Sequence, residues 1–142
     1  MAELMISRKF CNYFNLQIAP MYTHYNIVEY ASDSIYPVRK NDNFGLSVLA
    51  KLNITSTLSF FCEYDQNFTK LLKKTSTYKD PEPNFAFGIE NATAAHSFQI
   101  FLTTAGDISY QRNMVYGQNS LSGKDGYKNL MIGFNITRVF YR

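Results

Sequence analysis

Residues 14–25 read Phe-Asn-Leu-Gln-Ile-Ala-Pro-Met-Tyr-Thr-His-Tyr, and this stretch decides the fold. From Phe14 to Tyr22 every second side chain is apolar or aromatic, and the side chains between them are mostly polar or small. A repeat of two residues is typical of a β-strand with two different faces, whereas an α-helix repeats about every 3.6 residues. The stretch therefore predicts a long, two-faced β-strand.

Five further stretches show the same alternation, and together with the first they predict an all-β fold. The five stretches are residues 44–53, 58–64, 85–90, 97–103 and 129–137. Residues 4–10 are a candidate for the end of one more strand. The connections alternate between long and short, which predicts an antiparallel up-and-down meander of about six strands. Outer-membrane barrels share this asymmetry, with short periplasmic turns and long external loops.

The two faces of the predicted strands differ in charge. The apolar faces contain no Asp, Glu, Lys or Arg, whereas the opposite faces carry Lys51, Glu63 and Glu90 among many Asn, Gln, Ser and Thr residues. A membrane barrel points its apolar face outward to lipid, and a soluble lipocalin-like barrel points it inward. We expect a membrane barrel, because a solvated face would be rich in Lys and Glu. The alternative is a soluble lipocalin-like barrel that binds a small apolar ligand.

Length and composition set further limits. The 142 residues are predicted to form a single domain, residues 1–142, and a hydrophobic content of 46% excludes a disordered chain. There is no apolar run of about 18 residues, so no transmembrane helix is predicted. Residues 1–9 lack the basic start and apolar run of a signal peptide. A net charge of +3, with scattered Lys and Arg, predicts no nucleic-acid partner.

Several stretches resemble one known family, and Gly-Phe-Asn-Ile-Thr-Arg-Val-Phe at residues 133–140 is the most specific of them. The stretches are Ile6–Phe10, Leu16–His24, Glu63–Tyr64, Gly88–Glu90, His96–Thr103 and Ile132–Phe140. They resemble the β-barrel proteins of Bacteroidota known as domain of unknown function 5777, and in particular the C-terminal half of that family. The resemblance implies an outer-membrane barrel whose complete members carry a signal peptide and further N-terminal strands. It implies no catalytic residue.

An incomplete barrel needs partners. Unpaired strand edges have no hydrogen-bonding partner in lipid, so the predicted strands alone form only a partial transmembrane β-barrel. We expect the edges to be completed by missing N-terminal barrel strands or by a second copy of the chain. We expect the apolar faces to contact outer-membrane lipid.

The best candidate site is a charged pair on the predicted lumen face. If the turn at residues 55–57 is centred near Ser56, Lys51 lies opposite Phe61 and Glu63 is its diagonal neighbour. We expect an ion pair between Lys51 and Glu63, which either narrows and charges a pore or only stabilises the lumen. Further lumen-facing candidates share the same strand faces. They are Glu90, Gln17, Tyr25, Gln99 and Asn135.

The remaining reactive residue types indicate no chemistry. His24 and His96 are predicted at opposite ends of their strands, without a ligand partner at a metal spacing, so we predict no metal and no cofactor. The sequence shows no nucleophile, base and acid in a catalytic arrangement, so we predict no enzyme. Cys11 and Cys62 either form one disulfide or are unrelated apolar residues, and the second interpretation is favoured.

Aromatic residues cluster near the predicted strand ends, where membrane barrels place their aromatic girdles. They are Tyr13, Phe14, Tyr22, Tyr25, Phe44, Tyr64, Phe85, Tyr127, Phe140 and Tyr141. Taken together, the sequence predicts a segment of a bacterial outer-membrane β-barrel with a passive role as a pore, a scaffold or a surface-binding platform.

Overall fold

The computed structural model describes residues 1–30, 37–72, 79–107, 109–121 and 126–138. Strands dominate these residues, together with one short α-helix, α1, at Tyr110–Tyr116 and a 3₁₀ turn at Gly126–Asn129. The strands in chain order are β1 Ala2–Glu3, β2 Ile6–Lys9, β3 Phe14–His24, β4 Asp42–Asn53, β5 Leu58–Asn67, β6 Asn84–Ala92, β7 His96–Thr103 and β8 Met131–Arg138.

All six stretches with a two-residue repeat are strands, so the predicted all-β meander is confirmed. The largest differences lie at strand ends that face the long connections. β5 continues to Asn67 and β4 begins at Asp42, because polar residues there keep pairing after the apolar alternation has ended. β6 spans nine residues, although its sequence alternation covers only residues 85–90. Nine residues are enough for a tilted membrane-spanning strand.

The strands form one antiparallel sheet that curves into a half-barrel. Its order is β1, β3, β4, β5, β6, β7, β8, and β2 also pairs with β3. β1 and β2 both lie along the same edge of β3, so residues 2–9 act as one interrupted edge strand. β8 forms the opposite edge. The candidate strand at residues 4–10 is therefore present, shifted toward the N-terminus.

The two sides of the sheet differ as the alternation predicted. On β3 the side chains of Ala19, Met21 and Thr23 are buried on the concave side, whereas Ile18 and Tyr22 are exposed on the convex side. The register carries the same division across to β8, where Phe134 is 73% exposed. The lipocalin-like alternative required the apolar side chains to line the interior. The structure has the opposite arrangement.

Burial is concentrated at one end of the concave side, at the ends of the strands that face the long connections. We call this the long-loop end, and the opposite end, with the tight turns, the short-turn end. α1 lies on the sheet at the long-loop end, and its residues Asn113, Met114 and Val115 are buried. None of the described helices is long and apolar enough to cross a membrane.

The aromatic residues follow the predicted girdle only in part. Tyr22 and Phe44 pack on each other on the convex side near the long-loop end, with ring centroids 5.2 Å apart. Phe14 lies on the same side near the short-turn end. Tyr25 is an exception, because it lies on the concave side against Tyr116 of α1. The predicted girdle residues at positions 140 and 141 lie outside the described residues.

The two cysteines are free thiols in this structure. Cys11 is exposed in the turn before β3, whereas Cys62 lies on the convex side of β5, opposite Ala50 and Phe87. Their separate positions support the interpretation as unrelated residues.

Candidate functional site

The concave side of the half-barrel is the candidate site, because its polar residues line up in rows across neighbouring strands. The first row, toward the short-turn end, contains Asn53, Ser59, Glu90, Gln99 and Asn135. The next row contains Asn15, Lys51, Phe61, Gly88, Phe101 and Gly133. The third row contains Gln17, Leu49, Glu63, Ala86, Thr103 and Met131. This pattern of rows is that of an inward-facing barrel surface.

A connected polar network crosses the first two rows. Lys51 Nζ lies 2.9 Å from Glu90 Oε1, and Gln99 Nε2 donates to Glu90 Oε2 at 2.9 Å. Asn135 Nδ2 in turn donates to Gln99 Oε1 at 3.2 Å. These contacts link β4, β6, β7 and β8 without involving β5. The network therefore fixes the position of the charges at the short-turn half of the concave side.

The expected ion pair between Lys51 and Glu63 is wrong, although the register behind it is right. Lys51 does lie opposite Phe61, which makes Ser59 and Glu63 its two diagonal neighbours. The long lysine side chain extends toward the short-turn end and crosses β5 to reach Glu90, which lies opposite Ser59. Glu90 is held in place for this contact by Gln99.

Glu63 belongs to a second polar group, nearer the long-loop end. Ser47 Oγ donates to Glu63 Oε1 at 3.4 Å, and the buried Asp65 follows two residues later on the same side of β5. Tyr110 of α1 donates its hydroxyl hydrogen to Asp65 Oδ1 at 2.6 Å. Burial and this hydrogen bond raise the pKa of the Tyr110 phenol above its usual range, so the phenol keeps its proton and remains a donor.

Aromatic rings and glycines alternate along the second row. Phe61 and Phe101 have ring centroids 6.3 Å apart, and Gly88 lies between them in the register. The Phe101 ring lies over Gly133, where an added Cβ would be 2.5 Å from two ring atoms. Glycine at position 133 therefore makes room for a ring that lies flat across the concave surface. Phe61, Phe101 and Gly133 line the middle of the concave side.

Helix α1 is the part of the site that sequence reasoning missed. It lies within a long segment rich in Gly, Ser, Asn and Asp, and its seven residues are too few to show a helical repeat. The available signal was the apolar pair Met114 and Val115 in an otherwise polar connection. Asn113 supports the turn that leads into the helix, since its Oδ1 accepts from the backbone N–H of Asp107 at 2.8 Å.

The remaining predicted site residues occupy different parts of the concave side. Gln17 lies on β3 opposite Leu49. Tyr25 lies just beyond β3, and its ring meets the Tyr116 ring edge-on with centroids 5.7 Å apart. Tyr25 therefore packs against α1 at the long-loop end.

A cavity of about 880 Å³ lies on the concave side, bounded by the polar network, the aromatic row and α1. Lys51 and Glu90 are at one end of its lining, and Tyr110 and Asn113 are at the other. Among the described residues, no group of His, Cys, Asp and Glu is arranged to hold a metal ion.

The two histidines lie away from this cavity, at opposite ends of the sheet. His24 Nδ1 is 2.7 Å from Asp42 Oδ1, and Tyr22 donates to the same oxygen at 2.6 Å. His96 stacks on Phe98, with ring centroids 6.2 Å apart. Both imidazoles sit at ends of strands, as the sequence predicted.

Comparison with known families agrees with a curved sheet whose polar side faces inward and whose apolar side faces outward. A family model described as "Membrane bound beta barrel domain (DUF5777)" matches residues 1–140. The chain belongs to this family. Membership identifies the half-barrel as a membrane-bound β-barrel domain and agrees with the resemblance seen in the sequence. Neither the curated proteins nor the solved structures contain a significant match to this DUF5777 domain.

Proposed function

We propose that this DUF5777 domain is part of a bacterial outer-membrane β-barrel with a passive role, in which the concave side lines a narrow polar pore. The observation that carries the proposal is the distribution of charge between the two sides. Among the described strand residues, the Asp, Glu, Lys and Arg side chains on the convex side are confined to Arg8 near the end of β2 and to Asp42 and Arg138 at strand ends. The concave side holds Lys51, Glu63, Asp65 and Glu90.

The dimensions of the sheet support a membrane-spanning position. β3 has 11 residues and β4 has 12. At a rise of about 3.3 Å per residue and a tilt of about 45°, such strands span roughly 25 Å, the height of the apolar band of an outer-membrane barrel. The polar tips of Tyr22 and His24 meet Asp42 at one end of the convex side, where an interfacial girdle is expected.

A passive role is favoured because the charged groups on the concave side of β4–β6 already have polar partners within the protein. Lys51 and Glu90 form an ion pair with a hydrogen-bonded amide beside it, and Asp65 is bonded by Tyr110. Hydrolytic catalysis would need a nucleophile and a base within mutual reach around an open position. The imidazoles of His24 and His96, the usual bases, lie at strand ends outside the cavity.

The directions of the edge strands indicate how the barrel is closed. Residues 2–9 run from the long-loop end to the short-turn end, because Ala2 pairs with Tyr22 and Lys9 with Asn15. β8 runs in the same direction, since it follows a long connection and pairs antiparallel with β7. A second copy in the same membrane orientation would therefore meet both edges in parallel. An odd number of additional strands would close the barrel with antiparallel pairs throughout, and we favour this form of closure.

Cell fractionation followed by conductance measurement tests the proposed function. In the bacterium that naturally produces the protein, expressed from its own gene, we expect it in the outer-membrane fraction and expect it to resist extraction by alkaline carbonate. Purified from that fraction and added to a planar bilayer, it is expected to produce small ohmic conductance steps. A soluble, monodisperse protein would contradict the membrane proposal, and a flat trace from membrane-inserted protein would leave a scaffold or a surface-binding role.

A further inference from the structure

Helix α1 covers the concave side only at the long-loop end. Met114 and Val115 are 3% and 1% exposed, which is the burial of a protein core rather than of a surface loop. By contrast, Lys51 and Glu90 at the short-turn half remain partly accessible. The helix therefore covers the long-loop end of the concave side, and the cavity extends from Tyr110 and Asn113 to Lys51 and Glu90 at the short-turn half.

Three polar contacts hold α1 against the sheet, two with residues of β5 and one with a residue that precedes β4. Tyr110, at the start of the helix, donates to Asp65 on β5 at 2.6 Å. Asn67, at the end of β5, donates from Nδ2 to the carbonyl oxygen of Met114 at 2.9 Å. Arg39, which precedes β4, donates from a terminal guanidinium nitrogen to the carbonyl oxygen of Val115 at 2.7 Å. Both ends of the helix are therefore fastened.

The sheet is also shaped to receive the helix. A Cβ added to Gly45 would lie 2.5 Å from the terminal methyl carbon of Met114. The absence of a side chain at position 45 therefore leaves room for the Met114 side chain. The Arg39 guanidinium lies over the Tyr116 ring, 4.5 Å from its centroid. The Tyr25 and Tyr116 rings meet edge-on. Aromatic and cation–π contacts of this kind add to the polar anchors.

We propose that α1 is a built-in plug that narrows the long-loop mouth of the pore and sets which solutes pass. This inference rests on the proposed function, since it assigns the constriction of the same pore. A helix with its side chains is about 10–12 Å wide, so α1 anchored on the concave side takes about that width from the mouth, whatever number of strands completes the barrel. Small ions still pass beside the helix. Larger solutes pass only when the contacts of Tyr110, Asn67 and Arg39 open.

Thiol labelling from outside intact cells tests the plug. In a background with Cys11→Ser and Cys62→Ser, Gln99→Cys places a reporter thiol in the open short-turn half of the concave side. Ile27→Cys, at a side chain 86% exposed before β4, places a reference thiol outside the plug. A membrane-impermeant maleimide is added to intact cells, and the outer-membrane location of each variant is confirmed by carbonate extraction. After solubilisation in detergent, both thiols must react.

With α1 anchored, we expect the Gln99→Cys thiol to react at least about tenfold more slowly than the Ile27→Cys thiol. Adding Tyr110→Phe, or Asn67→Ala, should raise the Gln99→Cys rate several-fold, up to about tenfold, the ratio expected for the loss of one strong hydrogen bond. Tyr13→Phe is the matched control, because it removes a phenol hydroxyl at the short-turn end, and it should leave the rate unchanged.

The possible failures are distinguishable. If the chain is absent from the outer-membrane fraction, the proposed function is wrong and the plug fails with it. If the chain is in that fraction but Gln99→Cys reacts as fast as Ile27→Cys, the membrane barrel stands and the plug is overturned. The plug is also overturned if Tyr110→Phe and Asn67→Ala remain in the membrane and leave the Gln99→Cys rate unchanged.

Discussion

The convex and concave sides of the half-barrel are built from the same strands, yet the convex side chains are mostly apolar and the concave side carries the polar network. On β7, Ile100 faces outward and is 59% exposed, while the neighbouring Gln99 faces inward and bonds to Glu90. An apolar side chain of this size contributes about 1.5–3 kcal/mol when it is removed from water. A sheet that leaves such residues exposed along six strands is stable only in apolar surroundings. We therefore expect the convex side to face lipid and the concave side to face the aqueous interior of the barrel.

The largest expected effect comes from exchanging the chemistry of the two sides at one place. Ile100→Arg puts a charge at the middle of the convex side and should destabilise the inserted protein by about 2–4 kcal/mol, the cost of Arg near the bilayer midplane. Gln99→Arg is the matched control, because its side chain points to the concave side beside Glu90. Unfolding by denaturant in lipid vesicles measures both. Equal losses from the two variants would remove the distinction between the sides.

The next effect tests the tight packing of the concave side. Gly133→Val should destabilise the protein by about 1–3 kcal/mol, because its side chain would overlap the Phe101 ring and overpack the row. Phe101→Ala in the same chain should recover part of this loss by emptying the space. The convex neighbour Ile132→Val is the control, since Ile132 is 79% exposed and its loss of one methyl group meets no ring. A Gly133→Val variant with unchanged stability would show that the ring does not lie where the structure puts it.

A smaller effect distinguishes the observed ion pair from the expected one. A double-mutant cycle with Lys51→Met and Glu90→Gln should give a coupling free energy of about 1 kcal/mol, since both groups are partly shielded from water. The parallel cycle with Lys51→Met and Glu63→Gln should give a coupling near zero. A larger coupling with Glu63 would restore the pairing that the sequence suggested and would contradict the network at the short-turn half.

The smallest effect on stability comes from substituting the two cysteines. Their labelling rates still distinguish the exposed turn at Cys11 from the convex side at Cys62. Cys11→Ser and Cys62→Ser should each change the free energy of unfolding by no more than about 0.5–1 kcal/mol, and a reductant should change nothing, because both thiols are free. In membranes, a water-soluble maleimide should label Cys11 readily and Cys62 slowly, since Cys62 lies on the convex side. Rapid labelling of Cys62 in intact membranes would place that side in water.

Much of the fold can be predicted from the sequence, because a repeat of two residues assigns each strand side chain to one face of the sheet. Once the turn near Ser56 is located, the register of Lys51 with Phe61 follows, and the structure confirms it. What the repeat does not specify is the direction in which a long side chain leans. Lys51 reaches two strands away to Glu90, and the pattern along one strand carries no information about that choice.

The covering helix could not be predicted for a different reason. α1 has seven residues, so it shows no helical periodicity of its own, and its stability comes from contacts with distant residues. Asn67 and Arg39 bond to carbonyl oxygens of Met114 and Val115, separations of 47 and 76 residues along the chain. Tyr25 was expected to face the lumen. Its ring contact with Tyr116 could not be predicted, because Tyr116 belongs to the helix.

The most direct test of the central claim uses tryptophan fluorescence, because the chain contains no Trp of its own. Single substitutions Ile100→Trp and Gln99→Trp place one fluorophore on each side of the same strand. In vesicles that contain lipids with brominated acyl chains, Ile100→Trp should show blue-shifted emission that the bromines quench strongly. Gln99→Trp should be quenched far less by bromine and more by aqueous acrylamide. Equal bromine quenching of the two tryptophans, or stronger quenching of Gln99→Trp, would contradict a lipid-facing convex side.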